Sequence, residues 1–392
     1  MAQPTIDVAD LADVESLLDD DEKAVRQALR EWLAASVQPR VADWFEAGRI
    51  DDPRGLARQL GELGVLGMHL EGYRCAGMTA TQYGLACAEL EACDSGVRSL
   101  VSVQGSLAMF SIWRFGSEEQ KQQWLPAMAA GEKIGCFGLT EPDHGSDPSG
   151  MRTRARRSGD DWVLDGRKMW ITNGSIADVA IVWAQTDDGV RGFAVPTDTP
   201  GFAAADIPHK LSLRASVTSE LVLDGVRLPS SAMLPDARGL RGPLSALNEA
   251  RFGILWGVTG AARAALTAAA EYAAERVQFG RPIAGFQLTQ HKLADMATAL
   301  ATSTLLAHRL GRLKDEGRLR PDQVSLGKRH NVRAALEICR TARSVLGAYG
   351  ISLEYPVIRH MNNLESVSTY EGTHEMHTLI LGEAITGIPA FR

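Results

Sequence analysis

Trp162-Val163-Leu164-Asp165-Gly166-Arg167-Lys168-Met169-Trp170-Ile171-Thr172-Asn173-Gly174 is the stretch on which the fold reading turns. Its β-favouring runs are interrupted by Asp-Gly and Asn-Gly pairs of the hairpin-turn kind. The same period of two continues at 179–183, 192–196 and 220–225, so an antiparallel β domain is expected over residues 134–240. Outside it the period lengthens to that of helices. Before it, 1–133 reads as a helical domain, with a start at Asp20-Asp21-Glu22 and further helices at 79–93 and 118–130. After it, 241–392 carries long Ala/Leu segments at 244–276, 287–316, 321–346 and 373–388, lengths that suit a four-helix bundle. The expected class is α+β, in the order helical, β, helical.

The chain has 392 residues, with 41 Lys+Arg against 48 Asp+Glu and a formal net charge of −7. That balance argues against nucleic acid or an anionic membrane surface as the partner. Any anionic ligand must then be met by single arginines or backbone amides. The five cysteines lack CxxC spacing and read as incidental thiols in a reducing compartment. The acidic segment 1–22 has no secretory or transit character, so a cytoplasmic location is expected. The longest apolar run, 252–270, is broken by Arg263 and reads as a buried helix, not a membrane span.

No GxGxxG follows an expected strand and no GxxxxGK[ST] or GxSxG occurs, which disfavours Rossmann, P-loop and serine-hydrolase chemistry. His374-Glu375-Met376-His377 lacks the HExxH spacing of a zinc site, and no metal is expected. By contrast, the run from Cys136 to Asp147 places Gly, Ser and Thr residues at the start of the β domain. Exposed amides there suit a flat heterocycle or phosphate oxygens, or an ordinary turn-rich linker.

Phe137-Gly138-Leu139-Thr140-Glu141-Pro142 with Gly145-Ser146-Asp147, then Trp170-Ile171-Thr172-Asn173, then Arg276-Val277-Gln278-Phe279-Gly280 resemble, in order, the signatures of the acyl-CoA dehydrogenases. The resemblance runs from Gly61-Glu62-Leu63-Gly64 to the C-terminus. Within that family the chain is most similar to the glutaryl-CoA dehydrogenases. Asp94-Ser95-Gly96-Val97-Arg98-Ser99 and Thr369-Tyr370-Glu371-Gly372-Thr373-His374 carry that similarity.

The resemblance implies an FAD-dependent enzyme that removes an α proton and a β hydride from an acyl-CoA. It assigns the base to Glu371, with Gly372 allowing close backbone approach. Arg98, beside Ser99 and oriented by Glu91, would pair with a second carboxylate on the acyl chain, as guanidinium geometry favours. Tyr370 matches the decarboxylating pattern, in which glutaryl-CoA yields crotonyl-CoA and CO2. The flavin ring is assigned to Phe137, Leu139, Thr140, Gly145, Ser146, Trp170, Ile171 and Thr172, with Ser146 also touching substrate. Arg276, Phe279 and Gln287 would meet the pyrophosphate and adenine across a subunit boundary, with Leu346, Gly347 and Thr373 also on the cofactor. Ala348 replaces a glycine usual in that last segment. Asn248 and Arg251 are assigned to the CoA pantetheine and phosphate end.

Some relatives carry the base on the first bundle helix in a pattern like L-D-x-E-R. Here the run is Leu247-Asn248-Glu249-Ala250-Arg251, one position early, and one position is about 100° of helix rotation. A homotetramer passing electrons to an electron-transfer flavoprotein is the expectation. The alternatives are another acyl thioester, a glutaryl-CoA dehydrogenase that does not decarboxylate, and a non-catalytic acyl-CoA-binding protein.

Overall fold

The computed structural model describes residues 6–390. Capping chemistry sets the helix starts of the first third. Asp19 accepts from the Glu22 amide and Glu22 reaches back to the Asp19 amide, opening α1 (Asp20–Ser36) on a reciprocal cap. α2 (Val41–Ala47) and α3 (Pro53–Glu62) follow. Thr79 with Gln82 starts α4 (Ala80–Cys93) by the same device, and Asp94 caps α5 (Ser95–Ser102). The chain then runs through a π-helical segment, Val103–Met109, into α6 (Phe110–Phe115). Ser117 with Gln120 caps α7 (Glu118–Ala129).

The middle third is a sheet of β1 (Gly135–Gly138), β2 (Arg154–Ser158), β3 (Asp161–Thr172), β4 (Val179–Thr186), β5 (Gly189–Pro196), β6 (Phe202–Asp206) and β7 (Thr218–Pro229). Its order is β1-β4-β2-β3-β7-β6, with β5 on β4. The pairs β2–β3, β3–β7, β4–β5 and β6–β7 are antiparallel, as the period-two reading expects. β1 instead runs parallel to β4, and β2 touches β4 in parallel at one register. β1 arrives straight from the helical third, so no hairpin forces it antiparallel.

One turn expectation is corrected. Asp165-Gly166 makes no hairpin; β3 runs through it, with a register shift against β7 between Leu164 and Gly166. Glycine is needed there because a Cβ would lie 2.4 Å from the Thr153 hydroxyl. The true β2–β3 turn is Gly159-Asp160, with Gly159 at φ 66° and Ser158 paired to Asp161. Asn173, at φ 66°, turns the chain out of the sheet into a short 3-10 segment, Gly174–Ile176.

The last third holds α8 (Arg241–Glu275), a short hairpin of β8 (Val277–Gln278) and β9 (Arg281–Pro282), then α9 (Gln287–Asp315), α10 (Pro321–Leu346), α11 (Val357–Thr369) and α12 (His374–Thr386). The apolar run 252–270 lies in α8, and the most apolar stretch of that helix is largely buried inside the protein. α8 crosses α4 at backbone contact. A Cβ on Gly260 would meet the Ala88 carbonyl oxygen at 1.8 Å, and one on Gly257 would meet Glu91 Oε2 at 2.1 Å. These glycines, less than one turn apart, bring the helical layers close enough for α4 and α5 to lend side chains to a site built around α11 and α12.

Candidate active site

Two walls carry the candidate site residues, one on the sheet and one on the helices. On the sheet, β3 has a second register shift between Lys168 and Ile171. Trp170 lies inside it at φ 63°, a left-handed conformation uncommon for a bulky residue. A bulge of this kind re-aims a side chain, and here it leaves the Trp170 indole 57% exposed. Thr140 and Thr172 are half-buried, while Phe137, Leu139 and Ile171 are buried in the core. The Met169 amide donates to the Thr140 carbonyl at 2.9 Å, which joins the strand to the segment after β1. Gly145 and Ser146 are exposed.

Beneath this wall lies a buried ion pair, Lys168 Nζ to Glu141 Oε1 at 2.9 Å. Lys168 also donates to the Leu139 carbonyl, and Glu141 accepts from the amides of Arg152 and Thr153. Burial works against ionised Glu141, but Lys168 and these donors outweigh it and hold the carboxyl at about 2. Lys168→Met would strand that carboxylate. The expected loss is about 3–5 kcal/mol of stability, read by denaturant unfolding, with a weaker hold on a flat ring against Trp170.

The second wall is the loop Tyr370-Glu371-Gly372, between the end of α11 and the Thr373 cap of α12. Glu371 takes φ 56° and Gly372 φ 89°. A side chain at 372 would press on His377 Nε2 at 2.9 Å and Arg251 at 3.3 Å. Arg251, on α8, donates from Nε to the Glu371 carbonyl at 2.7 Å and bonds Asn248 one turn away. Its guanidinium is thus committed to the loop. The Glu371 side chain is held differently: its Oε2 is buried with no hydrogen-bond partner among the described residues. Burial raises its pKa above the usual carboxylate value, against the lowering pull of Arg251, Lys328 and Arg98.

From α5, buried Arg98 reaches the same loop. Its Nε donates to Glu91 at 2.7 Å and one terminal nitrogen donates to the Tyr370 hydroxyl. Burial opposes its charge, but Glu91 outweighs burial and keeps it cationic. The other terminal nitrogen has no partner among the described residues, and Ser99 Oγ beside it is buried and unpartnered. Asp94 ties this region to α11: it accepts from Arg359 at 2.7 Å and Asn363 at 2.8 Å. Glu371 thus keeps an unpartnered carboxylate oxygen, and Arg98, which keeps an open nitrogen, is bonded to the residue next to Glu371.

Glu249 does not join them. Lys314 holds both its oxygens, at 2.7 and 2.8 Å. Arg276, Phe279 and Gln287, just before, in and after the β8–β9 hairpin, are exposed, Phe279 at 94%. Leu346 is buried and Gly347 exposed at the end of α10, apart from the loop. Sequence reading missed two loop supports. His377 bonds Ser325 at 3.0 Å and approaches the Glu371 carbonyl at 3.3 Å. Lys328, on α10, is buried against the loop. A signal for it exists: Val324, Lys328, Val332 and Ala335 share one helical stripe, all buried.

Models of the acyl-CoA dehydrogenase N-terminal, middle and C-terminal domains match residues 19–132, 136–226 and 237–386. The chain belongs to the acyl-CoA dehydrogenase family. A crystal structure of glutaryl-CoA dehydrogenase from Mycobacterium smegmatis is similar at 66% identity and TM-score 0.97, covering 98% of this chain and 99% of that one. A second glutaryl-CoA dehydrogenase structure from M. smegmatis, in complex with FADH2, matches at 61% identity and TM-score 0.98, covering 99% and 100%. Among curated relatives, the mitochondrial short-chain specific acyl-CoA dehydrogenase of Bos taurus is 35% identical over 371 residues, 93% of this chain and 90% of that protein.

The cofactor of this acyl-CoA dehydrogenase is FAD. The residues fit it: an exposed indole re-aimed by a bulge, with threonines to either side in sequence, is a platform for a flat polar ring. Thr140, Trp170 and Thr172 would hold the isoalloxazine.

Proposed function

We propose that this acyl-CoA dehydrogenase acts on glutaryl-CoA, oxidising and decarboxylating it to crotonyl-CoA and CO2. The observation that carries the reading is buried Arg98, bonded to the residue next to Glu371 and retaining an open nitrogen. Glu91 already holds the Nε side of the guanidinium, which leaves the open terminal nitrogen as a donor for a further carboxylate. The terminal carboxylate of a short dicarboxylic acyl chain meets it at one end while its α carbon faces Glu371. A plain fatty acyl chain would leave Arg98 and Ser99 facing methyl groups.

Glu371 takes the α proton at its unpartnered oxygen. Desolvation makes it a stronger base than an exposed carboxylate. FAD, when bound, accepts the β hydride. The resulting enoyl thioester carries its carboxylate where the C–C bond electrons pass into the conjugated thioester as CO2 leaves. Arg98 loses its partner at that point, and the proton held on Glu371 returns to the dienolate at its γ carbon. The reduced enzyme then passes electrons to an electron-transfer flavoprotein. The exposed hairpin residues Arg276 and Phe279 are proposed to reach the FAD of a second copy in a homotetramer, and the cytoplasm is the proposed location.

The test is product analysis: crotonyl-CoA and stoichiometric CO2 support the reading, and glutaconyl-CoA alone would replace it with the non-decarboxylating reaction. A pH consequence follows from Glu371. Only the ionised carboxylate abstracts a proton, so kcat/KM should rise with pH along an acid limb. Because burial raises the Glu371 pKa, that limb should be centred above the ordinary 4.5 of a glutamate. A limb at or below that value would contradict the buried base.

A further inference from the structure

Glu371 has no side-chain contact that holds it, yet it occupies a left-handed backbone conformation that a glutamate seldom adopts. Something outside the loop must hold it there. The peptide carbonyls on either side of Glu371 answer this. Lys328 Nζ donates to the Tyr370 carbonyl and, at 2.6 Å, to the Gly372 carbonyl. Arg251 takes the carbonyl between them, that of Glu371, at 2.7 Å. Three successive carbonyls of the loop therefore point at two cations from two different helices, Lys328 buried and Arg251 half-buried.

We propose that Lys328 is a positioning residue for the base. Its two hydrogen bonds clamp the loop in the conformation that aims the Glu371 carboxylate into the pocket, and its charge sets the proton affinity of that carboxylate. The proposal rests on the reading of Glu371 as the base.

The electrostatic half has a definite sign. Lys328 lies close enough to Glu371 to favour its ionised form, against the burial that disfavours it. Burial likewise pulls Lys328 well below the ordinary lysine range, with attraction to Glu371 opposing that and Arg251 and Arg98 adding to it. The neighbours on the other packed elements are Arg251 from α8, Arg98 from α5, and His377 and His374 from α12. Burial depresses both imidazoles, His377 to about 3. Tyr370 is raised by burial and stays protonated. Lys328 also lowers both imidazoles, so its replacement frees them to gain charge, which would lower the Glu371 midpoint; an upward shift therefore reports on Lys328 itself.

Even without its charge, an amine keeps two N–H groups for the two carbonyls. Clamp and charge are therefore separable by substitution. Lys328→Met removes both, and Lys328→Gln keeps a donor without charge. The FAD-loaded enzymes are compared with Glu371→Gln by anaerobic stopped-flow reduction with glutaryl-CoA over a pH series. In parallel, the protonated carboxyl stretch that Glu371→Gln deletes is titrated by infrared difference, a readout independent of turnover.

Lys328→Met should slow reduction by on the order of tenfold to a hundredfold, with little change in glutaryl-CoA affinity. Its Glu371 midpoint should move up by about one unit or more. Lys328→Gln should show the same upward shift with a smaller loss of rate. Unchanged midpoints in both variants overturn the proposal, as does a wild-type rate in Lys328→Met. If Lys328→Met does not fold, Lys328→Gln alone decides: a midpoint equal to wild type overturns the proposal. A Glu371→Gln enzyme that still reduces flavin would instead sink the base assignment, whatever Lys328 does.

Discussion

Glu371→Gln is expected to keep its FAD and to lose reduction by glutaryl-CoA by on the order of 10²- to 10⁴-fold or more. The glutamine amide is nearly isosteric with the carboxyl, so the loop conformation at φ 56° and the Arg251 and Lys328 bonds to backbone carbonyls remain available. None of those bonds uses the Glu371 side chain. What disappears is the carboxylate with an unpartnered oxygen; Glu249, the alternative carboxylate, has both oxygens on Lys314. Rescue by moving the acid to Asn248 or Ala250 is not expected in the wild-type background, because Glu371 already fills the role. Stopped-flow absorbance at the flavin band measures the effect, and retention of the bound flavin spectrum shows that the site is intact.

The second large effect is at Arg98. Arg98→Met alone would leave Glu91 buried with only Ser95 as a side-chain partner, a loss of about 3–5 kcal/mol in stability. Combining it with Glu91→Gln removes that complication and isolates the role in recognition. The double variant should lose kcat/KM for glutaryl-CoA by about 2–5 kcal/mol, the scale of a truncated buried charge pair. Butyryl-CoA, which has no second carboxylate, should be turned over as well as by wild type or better. Equal losses on both substrates would make Arg98 a structural residue and remove its part in selecting the acyl chain.

Much of the architecture was legible because its signals are local. The starts of α1, α4 and α7 follow from Asp19, Thr79 and Ser117, each with a Glu or Gln three residues on. The long helices follow from unbroken apolar stripes. α11 did not announce itself, since its inward face carries Arg359, His360 and Asn363, polar residues that break the apolar period yet are buried. Arg359 and Asn363 meet Asp94, 265 or more positions away, and no local pattern shows such a partner. Asp165-Gly166 misled for a related reason: the glycine answers a close approach from Thr153 and not a turn.

In the site, Glu371, Arg98 and Glu91 were found through resemblance, and the structure places Arg98 on Glu91 and on the neighbour of Glu371. Lys328 was passed over because a lysine reads as surface unless its helical stripe is checked. The net charge of −7 pointed away from nucleic acid and an anionic membrane surface and left smaller anionic ligands to single arginines and backbone amides. Arg98, Arg251 and Lys328 around one loop show how an acidic chain concentrates positive charge locally.

The most direct measurement is anaerobic titration of the FAD-loaded enzyme with glutaryl-CoA and, separately, with butyryl-CoA, following the flavin absorbance. Glutaryl-CoA should bleach the flavin fully at near-stoichiometric amounts, and butyryl-CoA should do so poorly. Bleaching by butyryl-CoA with none by glutaryl-CoA would contradict the role assigned to Arg98 and with it the substrate.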